Sequence, residues 1–490
     1  MARERELKLS APPTFRLPSF DSLGLSVRDE AEKRLVTTYF DIPDLRLARW
    51  GVTLRYRAGE GWTVKLPGGA AEGVVTRDEV EFEGPAGKPP AAAMSLLRGL
   101  LRRDEPEPVA RLRTVRRVSE LTDEAGTRVA EIDDDEVSVI DGRRLAARFR
   151  QLEVELAPTA ADDVLAEIRA LLLPLGTAID PVSKAVRALG PKAEGPPEAH
   201  VLPVHPSDPA GATVAAAIAA ATSRLLKNDP GVRLGDDEEA VHQARVATRR
   251  LRADLRTFKD LLEPEWADRM RGELKWLGGD LGAVRDAEVM RELLRSLARR
   301  LPREDRATGM RVAARLDRVR EDARRRLLAD LESARYLDLI EALLAAGREP
   351  PLLIAADAPA VEVLPPLVER NWRRIRRDVR GLAADPPDAA LHEVRILAKR
   401  LRYAAEAVGI ALGGYDKLAK EAAAVQDVLG RHQDAVVAQD WLRQQRSGLT
   451  STQAFAAGEL WGLAGGDAAQ ARREWPAAWK SLRKRAAATL

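Results

Sequence analysis

The sequence reads GPKAEGPPEAHVLPVHPSDPAGA from Gly190 to Ala212, and six of these residues are proline. Proline fixes φ and has no backbone N–H, so neither a continuous helix nor a central strand can run through this stretch. We interpret residues 191–211 as a linker between two domains. The chain has 490 residues, and at roughly 150 residues per domain that length also favours more than one domain.

The residues before the linker, 1–190, alternate apolar and charged side chains over short segments that end at turn residues. This period of two predicts a mostly antiparallel β domain. Two stretches of helical period, Ala91 to Leu101 and Ala161 to Leu173, interrupt the pattern. The predicted strands include Arg5 to Leu9, Thr53 to Arg57, Trp62 to Leu66, Val80 to Glu83, Arg111 to Val118 and Gln151 to Leu156.

The residues after the linker, 212–490, form long Ala/Leu/Arg/Glu segments of helical period, which predicts an all-α bundle. The bundle contains an internal duplication, because VHQARVATRRLRADLRTF at 241–258 matches LHEVRILAKRLRYAAEAV at 391–408. A second proline-containing break separates the copies, so we predict two repeats, about 212–346 and 367–490. The fold class is therefore an α+β multidomain protein.

Composition excludes several classes of mechanism. The chain has no cysteine, which excludes disulfides, thiolate metal sites and thiol nucleophiles. The N-terminal residues MARERELKLS contain no apolar segment, and no apolar run approaches the roughly 18 to 20 residues of a membrane span, so we expect a cytoplasmic protein without a membrane partner. Residues 1–200 hold 30 basic and 34 acidic residues, and 201–490 hold 49 and 42, which favours an anionic partner for the second part.

The predicted strands sort carboxylates and cations into separate groups on one face. Side chains two residues apart point the same way, so Glu4, Glu6 and Lys8 share a face. The other charged pairs are Arg55 with Arg57, Glu79 with Glu81, and Glu153 with Glu155. An alternating strand ordinarily has one solvated face, but a solvated face has no reason to sort charges in this way. If the sheet closes with these faces inward, a polyanion and divalent metals would satisfy both signs of charge.

Residues 1–190 resemble the CYTH domain of the triphosphate tunnel metalloenzymes. The N-terminal signature ExExK of that family is matched by Glu4, Glu6 and Lys8. The later matches, in order, are Arg55 and Arg57 in TLRYR, Lys65 in WTVKLPG, Glu79 and Glu81, Arg113 and Arg116 in RLRTVRR, Asp133 in EIDDDEV, Glu153 and Glu155 in QLEVEL, and Ser183 with Lys184. Arg117 beside Arg116, and Asp135 on the strand face of Asp133, remain alternatives.

The resemblance implies an eight-stranded antiparallel tunnel that hydrolyses a triphosphate with Mg²⁺ or Mn²⁺. It implies metal ligation by Glu4, Glu6, Asp133, Glu153 and Glu155. It implies catalytic roles for Glu4, Glu6, Lys8, Glu79 and Glu81, and substrate binding by Lys8, Arg55, Arg57, Lys65, Arg113, Arg116 and Lys184. A P-loop signature is absent and all five histidines lie at position 200 or beyond, so the first domain offers no competing phosphate loop or Ser/His/Asp site.

The helical half carries stripes of cations. His242, Arg245, Arg249, Arg252 and Arg256 follow a +3, +4, +3, +4 spacing, which is one face of a helix. The second copy repeats the stripe with His392, Arg395, Lys399 and Arg402, and a third run comprises Arg370, Arg373, Arg377 and Arg380. Like charges at this spacing repel, so the stripes need either carboxylates on neighbouring helices or an anionic partner. Aromatic residues are sparse and not interleaved with the cations, which argues against nucleic acid.

Residues 212–490 resemble the CHAD domain through both histidine-containing stripes and through LGAVRDAEV and LGRHQDA, which follow them. This resemblance implies that the two stripes bind inorganic polyphosphate. The leading hypothesis is a metal-dependent inorganic triphosphatase fused to a polyphosphate-binding domain. The alternatives are a non-catalytic polyphosphate-binding adaptor, and a thiamine triphosphatase or adenylate cyclase of the same fold. The oligomeric state cannot be read from the sequence.

Overall fold

A computed structural model of the chain describes residues 2–71 and 74–490, with the side chains of 5–68, 76–161 and 163–490. The chain divides into two compact units, residues 1–198 and 199–490. In the described residues, no helix has a stretch both long and apolar enough to cross a membrane.

The first unit is built on one antiparallel sheet. Its strands within the described residues are β1 (Ala2–Ser10), β2 (Ser26–Asp29), β3 (Lys33–Asp41), β4 (Thr53–Arg57), β5 (Gly61–Ala71), β6 (Val74–Phe82), β7 (Glu107–Thr122), β8 (Arg128–Asp141), β9 (Arg144–Leu156) and β10 (Ala178–Ile179). The order β1-β6-β5-β4-β3-β7-β8-β9 closes on itself because β9 also pairs with β1. The predicted eight-stranded antiparallel tunnel is confirmed.

Short helices accompany the barrel: α1 (Arg46–Arg49), α2 (Ala91–Leu96), α3 (Arg98–Leu101), α4 (Asp162–Leu172) and α5 (Lys184–Leu189). Helix α4 packs on the outside of β1, β8 and β9, and the buried residues of this core include Leu7, Leu9, Ile132, Leu152, Val154, Leu165, Ile168 and Leu172. Burying each of these side chains contributes about 1.5 to 3 kcal/mol. Because side chains alternate along a strand, this outer core commits the intervening charged residues to the interior of the barrel.

One end of the barrel interior is apolar and is filled by α5. Ala185 of this helix packs with Tyr39, Leu112, Val137 and Val139 of the barrel strands. The helix begins after Ser183, whose hydroxyl accepts a hydrogen bond from the backbone N–H of Val186 at 3.2 Å. This packing fixes the first residue of the helix, Lys184, beside the charged part of the interior.

The predicted linker begins on the first unit. Residues 191–194 form a short helical turn in which Ala193 is buried. Glu198 accepts a hydrogen bond from Trp50 at 3.2 Å and pairs with Arg46 at 2.9 Å. These contacts, with a further ion pair to Arg102, hold residues 191–198 against the barrel.

The second unit is helical and duplicated, as predicted. Its helices within the described residues are α6 (Ala210–Leu234), α7 (Glu238–Thr257), α8 (Pro264–Arg299), α9 (Arg303–Glu332), α10 (Ala334–Arg348), α11 (Ala360–Val363), α12 (Pro365–Arg380), α13 (Asp388–Leu412), α14 (Asp416–Gln445) and α15 (Ser451–Thr489). The first repeat contains α6 to α9 and the second α12 to α15, and in each repeat every helix packs on the next. Helix α7 also packs on α13, so the two stripe-bearing helices are neighbours.

Candidate functional site

The strand register arranges the barrel interior into rows of charge. In one row, Lys8 of β1 lies opposite Glu153 of β9, which lies opposite Asp133 of β8. In the adjacent row, Glu6 lies opposite Glu155, which lies opposite Glu131. The first row mixes both signs of charge, and the second contains only carboxylates.

The first row is the centre of a dense ion-pair network. Oxygens of Asp133, Asp135 and Glu153 lie within 4.8 Å of one another. Arg116 donates to both oxygens of Asp135, at 2.8 and 2.7 Å, and also contacts Asp133. Lys184 lies 2.8 Å from Asp135 and contacts Glu153. Glu153 is further paired with Lys8, which lies 2.9 Å from Glu6.

The three carboxylates differ in their electrostatics. Burial disfavours the charged form of each, but Lys184 and Lys8 hold the pKa of Glu153 well below its usual value, and Lys184 and Arg116 lower the pKa of Asp135. Burial raises the pKa of Asp133 to about 7, because Arg116 compensates for it only in part. The Oδ1 atom of Asp133 is buried without a hydrogen-bond partner. Asp133 is therefore the carboxylate of this group with an oxygen available to a ligand.

The opposite wall of the barrel interior carries the second set of predicted residues. Arg55 lies 2.9 Å from Glu79, and Lys65 lies 3.1 Å from the same oxygen. Arg57 donates to Thr37 at 3.2 Å and pairs with Glu60 at 2.8 Å. Glu81 is exposed and lies opposite Thr63 in the register of β5 and β6. These residues form a wall richer in cations than the β1-β9-β8 wall.

The structure corrects the assignment of Arg113. This residue lies three positions before Arg116, and residues an odd number apart in a regular strand point to opposite faces. Arg113 is accordingly exposed on the outer face of β7, whereas Arg116 points inward. Arg117 is also on the outer face, where it pairs with Glu136 at 2.9 Å. Glu4 lies in β1 opposite Arg77, but its side chain lies outside the described residues.

Three further residues face inward: Glu131 and Arg77, which were assigned no role from the sequence, and Asp135, which was an alternative to Asp133. Asp135 belongs to the carboxylate group, Glu131 extends the second row, and Arg77 lies 3.6 Å from Glu6. The alternation that identified Asp133 and Glu79 also applies to these residues. Glu131 is two residues before Asp133, and Arg77 is two residues before Glu79. The signal was present, but the choice between neighbouring charges required the strand register.

A divalent cation fits this interior. Asp133 Oδ1 is a buried oxygen without a hydrogen-bond partner in the described part of the chain, and the buried Glu6 Oε1 lies 3.6 Å from Arg77, beyond hydrogen-bond distance. Buried polar atoms of this kind are costly unless a ligand satisfies them. Carboxylate oxygens are the ligands that Mg²⁺ and Mn²⁺ prefer. The Lys and Arg side chains nearby would hold the oxygens of an anionic substrate.

The helical unit has a separate basic cavity, with a volume of about 1030 Å³. Helices α7, α12 and α13 form its walls. Eleven Lys and Arg residues line it, and there is no Asp or Glu among its described lining residues. The cations are Arg249, Arg252, Arg256, Lys259, Arg271, Arg370, Arg373, Arg374, Arg377, Lys399 and Arg400.

The cavity joins the two stripes of the duplicated helices. Arg249 of the first copy and Lys399 of the second copy line it together, although they are 150 residues apart. Burial, together with repulsion from Arg249, Arg395 and Arg245, lowers the pKa of Lys399 to about 7. Repulsion of this kind is the property of a surface that an anion would stabilise.

Some of the predicted stripe residues lie elsewhere. Arg402 pairs with Glu406 at 2.7 Å and is not among the residues that line the cavity. Arg245 pairs with Asp286 at 2.8 Å. His242, His392 and Arg395 are partly buried beyond the cavity lining, and the Nδ1 atom of His392 is buried without a partner. Arg256 and Arg252 line the cavity as predicted for their helix face.

Four lining cations fall outside the stripes recognised in the sequence: Lys259, Arg271, Arg374 and Arg400. Arg374 and Arg400 each follow a recognised residue by one position. Their inclusion depends on how α12 and α13 face each other, which the period of a single helix does not define.

Comparisons with known proteins agree with this architecture. The model of the CYTH domain matches residues 2–188, and the model of the CHAD domain matches residues 216–443. Two proteins of Mycobacterium tuberculosis, described as uncharacterized proteins MT2285 and Rv2226, are each 33% identical over 480 residues, covering 90% of this chain and 88% of theirs.

Two solved structures resemble part of the chain. PptA from Streptomyces chartreusis is 28% identical, with a TM-score of 0.47, over 56% of this chain and 100% of its own. The CHAD domain from the plant Ricinus communis is 27% identical, with a TM-score of 0.48, over 58% of this chain and 95% of its own. On the family models and the full-length relatives, this chain belongs to the family of proteins in which a CYTH domain is followed by a CHAD domain.

Proposed function

We propose that the barrel hydrolyses inorganic triphosphate in a divalent-metal-dependent reaction, and that the helical unit binds inorganic polyphosphate. The observation that carries the first part is the group formed by Asp133, Asp135 and Glu153, enclosed in a closed barrel and contacted by Lys8, Arg116 and Lys184. CYTH domains are typically triphosphate tunnel metalloenzymes, which act as hydrolases or cyclases.

The metal would be held mainly by Asp133, Glu153, Glu155 and Glu6 of the two rows, together with Glu4, which the family resemblance implies as a further ligand. A bound Mg²⁺ or Mn²⁺ would lower the pKa of a coordinated water and neutralise phosphate charge. Without ligand, Lys8, Arg116 and Lys184 neutralise these carboxylates. Once the carboxylates hold a metal, these cations become available to the phosphate chain.

The basic wall would position the substrate. Arg55 and Lys65 both contact Glu79, at 2.9 and 3.1 Å, so two cations of this wall lie side by side. Together with Arg57, these side chains would hold the phosphate oxygens and offset the charge that develops during in-line displacement. Glu79 would orient both cations by accepting their hydrogen bonds.

The helical part of the proposal rests on the eleven cations of the α7, α12 and α13 cavity. Polyphosphate is a linear chain with one charge or more per unit, and it needs no aromatic stacking surface. The cavity supplies cations, with Tyr403 as the aromatic residue among its described lining residues. A phosphate chain matches this composition better than a nucleic acid, whose bases stack on aromatic rings.

The test is phosphate release from inorganic triphosphate, ATP, thiamine triphosphate and long-chain polyphosphate, with Mg²⁺ and with Mn²⁺, together with polyphosphate binding by titration calorimetry. We expect fastest release from inorganic triphosphate, none after chelation, and polyphosphate binding by the intact chain. Faster turnover of ATP or thiamine triphosphate would replace the substrate assignment. Binding of polyphosphate without release from any of the four compounds would replace the enzyme with an adaptor.

A further inference from the structure

The duplicated helices bring equivalent arginines together at two places. Arg252 of α7 and Arg400 of α13 both line the basic cavity. Their equivalents in the opposite copies are Arg402 and Arg250, since the copies are offset by 150 residues. Arg402 and Arg250 also meet, because both contact Glu406. The structure therefore contains two arginine pairs that are equivalent by duplication, Arg252 with Arg400 in the cavity and Arg402 with Arg250 outside it.

The second pair is neutralised. Glu406 accepts from Arg402 at 2.7 Å and from Arg250, and the buried Asp254 pairs with Arg250 at 2.8 Å. Two carboxylates thus face two guanidinium groups. Both guanidinium groups lie by the ring of Tyr403, at 5.6 and 5.7 Å from its centroid, which holds the network in place.

The cavity pair has no such compensation. Arg252, Arg256 and Arg400 lie among other cations, and no Asp or Glu is found in the described lining of the cavity. Burial and repulsion from Arg400, Arg271, Arg252 and Arg374 lower the pKa of Arg256. The two equivalent places therefore differ in net charge, although each is centred on two arginines.

Two substitutions between the copies account for the difference. Arg256 of the first copy corresponds to Glu406 of the second, and Asp254 corresponds to Ala404. Both differences place a carboxylate beside Arg250 and Arg402, and neither places one at the equivalent position in the cavity. The neighbouring helices reinforce the effect, because α12 brings four arginines to the cavity, whereas the equivalent helix α6 holds only three cations along its length, Arg224, Lys227 and Arg233.

We propose that the helical unit has a single anion site, on the α12 side of the α7 and α13 pair, and that Glu406 is the residue that closes the equivalent place to phosphate chains. This inference rests on the proposed polyphosphate binding and specifies which part of the duplicated surface performs it. A polyphosphate chain would contact Arg252, Arg256 and Arg400 and would not contact Arg250 or Arg402.

The first test compares equivalent residues, Arg252→Gln and Arg402→Gln, in the full chain by titration with long-chain polyphosphate under chelating conditions. Any contribution from the barrel is the same in both variants, because both changes lie in the helical unit. We expect Arg252→Gln to weaken binding by about tenfold, the equivalent of about 1.4 kcal/mol, and Arg402→Gln to bind as the wild type does. Equal weakening in both variants would overturn the one-sided model.

The second test is Glu406→Gln, which preserves the size of the side chain. Arg250 keeps Asp254, so one guanidinium, that of Arg402, becomes available. We expect tighter binding and a steeper dependence of log affinity on log salt, by about 0.7 for one added phosphate contact. An unchanged affinity and slope, with an unchanged melting temperature, would refute the role of Glu406. A wild-type chain that ignores polyphosphate would instead refute the proposed function.

Discussion

The two units differ in how far their cations are paired with carboxylates. In the barrel, the inward-facing cations Lys8, Arg116 and Lys184 each contact at least two carboxylates. In the helical cavity, no Asp or Glu is among the described lining residues, although four of the eleven cations, Arg271, Arg370, Arg373 and Arg377, each pair with a carboxylate outside that lining. A site that balances both signs suits a metal together with an anion, whereas a site of one sign suits an anion alone. On the proposed function, the barrel would be the site of chemistry and the helical cavity a site of binding.

The largest effect should follow from removing a carboxylate of the barrel. We expect Glu6→Gln to lower kcat/KM for triphosphate by about 100-fold or more, because even the groups that only orient metal ligands cost about 10- to 100-fold when removed. Phosphate release with Mg²⁺ and with Mn²⁺ measures this change. The melting temperature is the control, since Gln fills the same volume, and wild-type turnover would reject Glu6 as a ligand.

The next largest effect should come from the basic wall. Arg55→Ala removes a charge-assisted contact worth about 1.5 to 3 kcal/mol, which corresponds to about 10- to 100-fold in kcat/KM. Arg113→Ala is the matched control, because Arg113 lies on the outer face of the barrel. Steady-state kinetics with triphosphate should show a loss in the first variant alone. A similar loss in both would contradict the assignment of faces in β7 and β4.

The helical cavity should respond independently of the barrel. Arg249→Glu and Lys399→Glu each replace an attraction by a repulsion, so we expect each to weaken long-chain polyphosphate binding by about tenfold or more. Triphosphate hydrolysis should keep its wild-type rate in both. Calorimetry on the full chain, paired with phosphate release, measures the two activities. A variant that also loses triphosphate hydrolysis would show that the two units do not act independently.

The smallest effect concerns pH. Lys399, whose pKa lies at about 7, is mostly charged at pH 6 and mostly neutral at pH 8. Binding of an anion favours the charged form, so affinity should fall as pH rises. At pH 8 the Lys399 amine must take up a proton one unit above its pKa in order to bind the anion, so the loss of affinity is limited to about tenfold. Polyphosphate titrations at pH 6 and pH 8 measure this change. Lys399→Arg stays charged at both pH values, so its affinity should change with pH only as far as His242 and the ligand titrate.

Much of the barrel followed from alternation along the strands. A period of two placed Glu6 with Lys8, and Glu153 with Glu155, on the inner face, and the outer leucines and valines explain why that face is inner. The same rule separates Arg113 from Arg116, which are three residues apart. The choice between Asp133 and Asp135 was different, because both point inward and only the positions of Arg116 and Lys184 distinguish them.

The sequence by itself determined the strand-rich and the helical part of the chain, six of the barrel strands and the duplication, because these depend on periodicities within continuous segments. Strands β2, β3, β8 and β10 were not among the predicted segments. The tertiary structure alone decided which charged residues of the two copies meet. Arg402 pairs with Glu406 four residues later in the same helix, where Arg252 has Arg256, so this difference is already visible in the sequence. Glu406 also meets Arg250 of the first copy, and contacts between helices 150 residues apart follow from packing, not from the period of either helix.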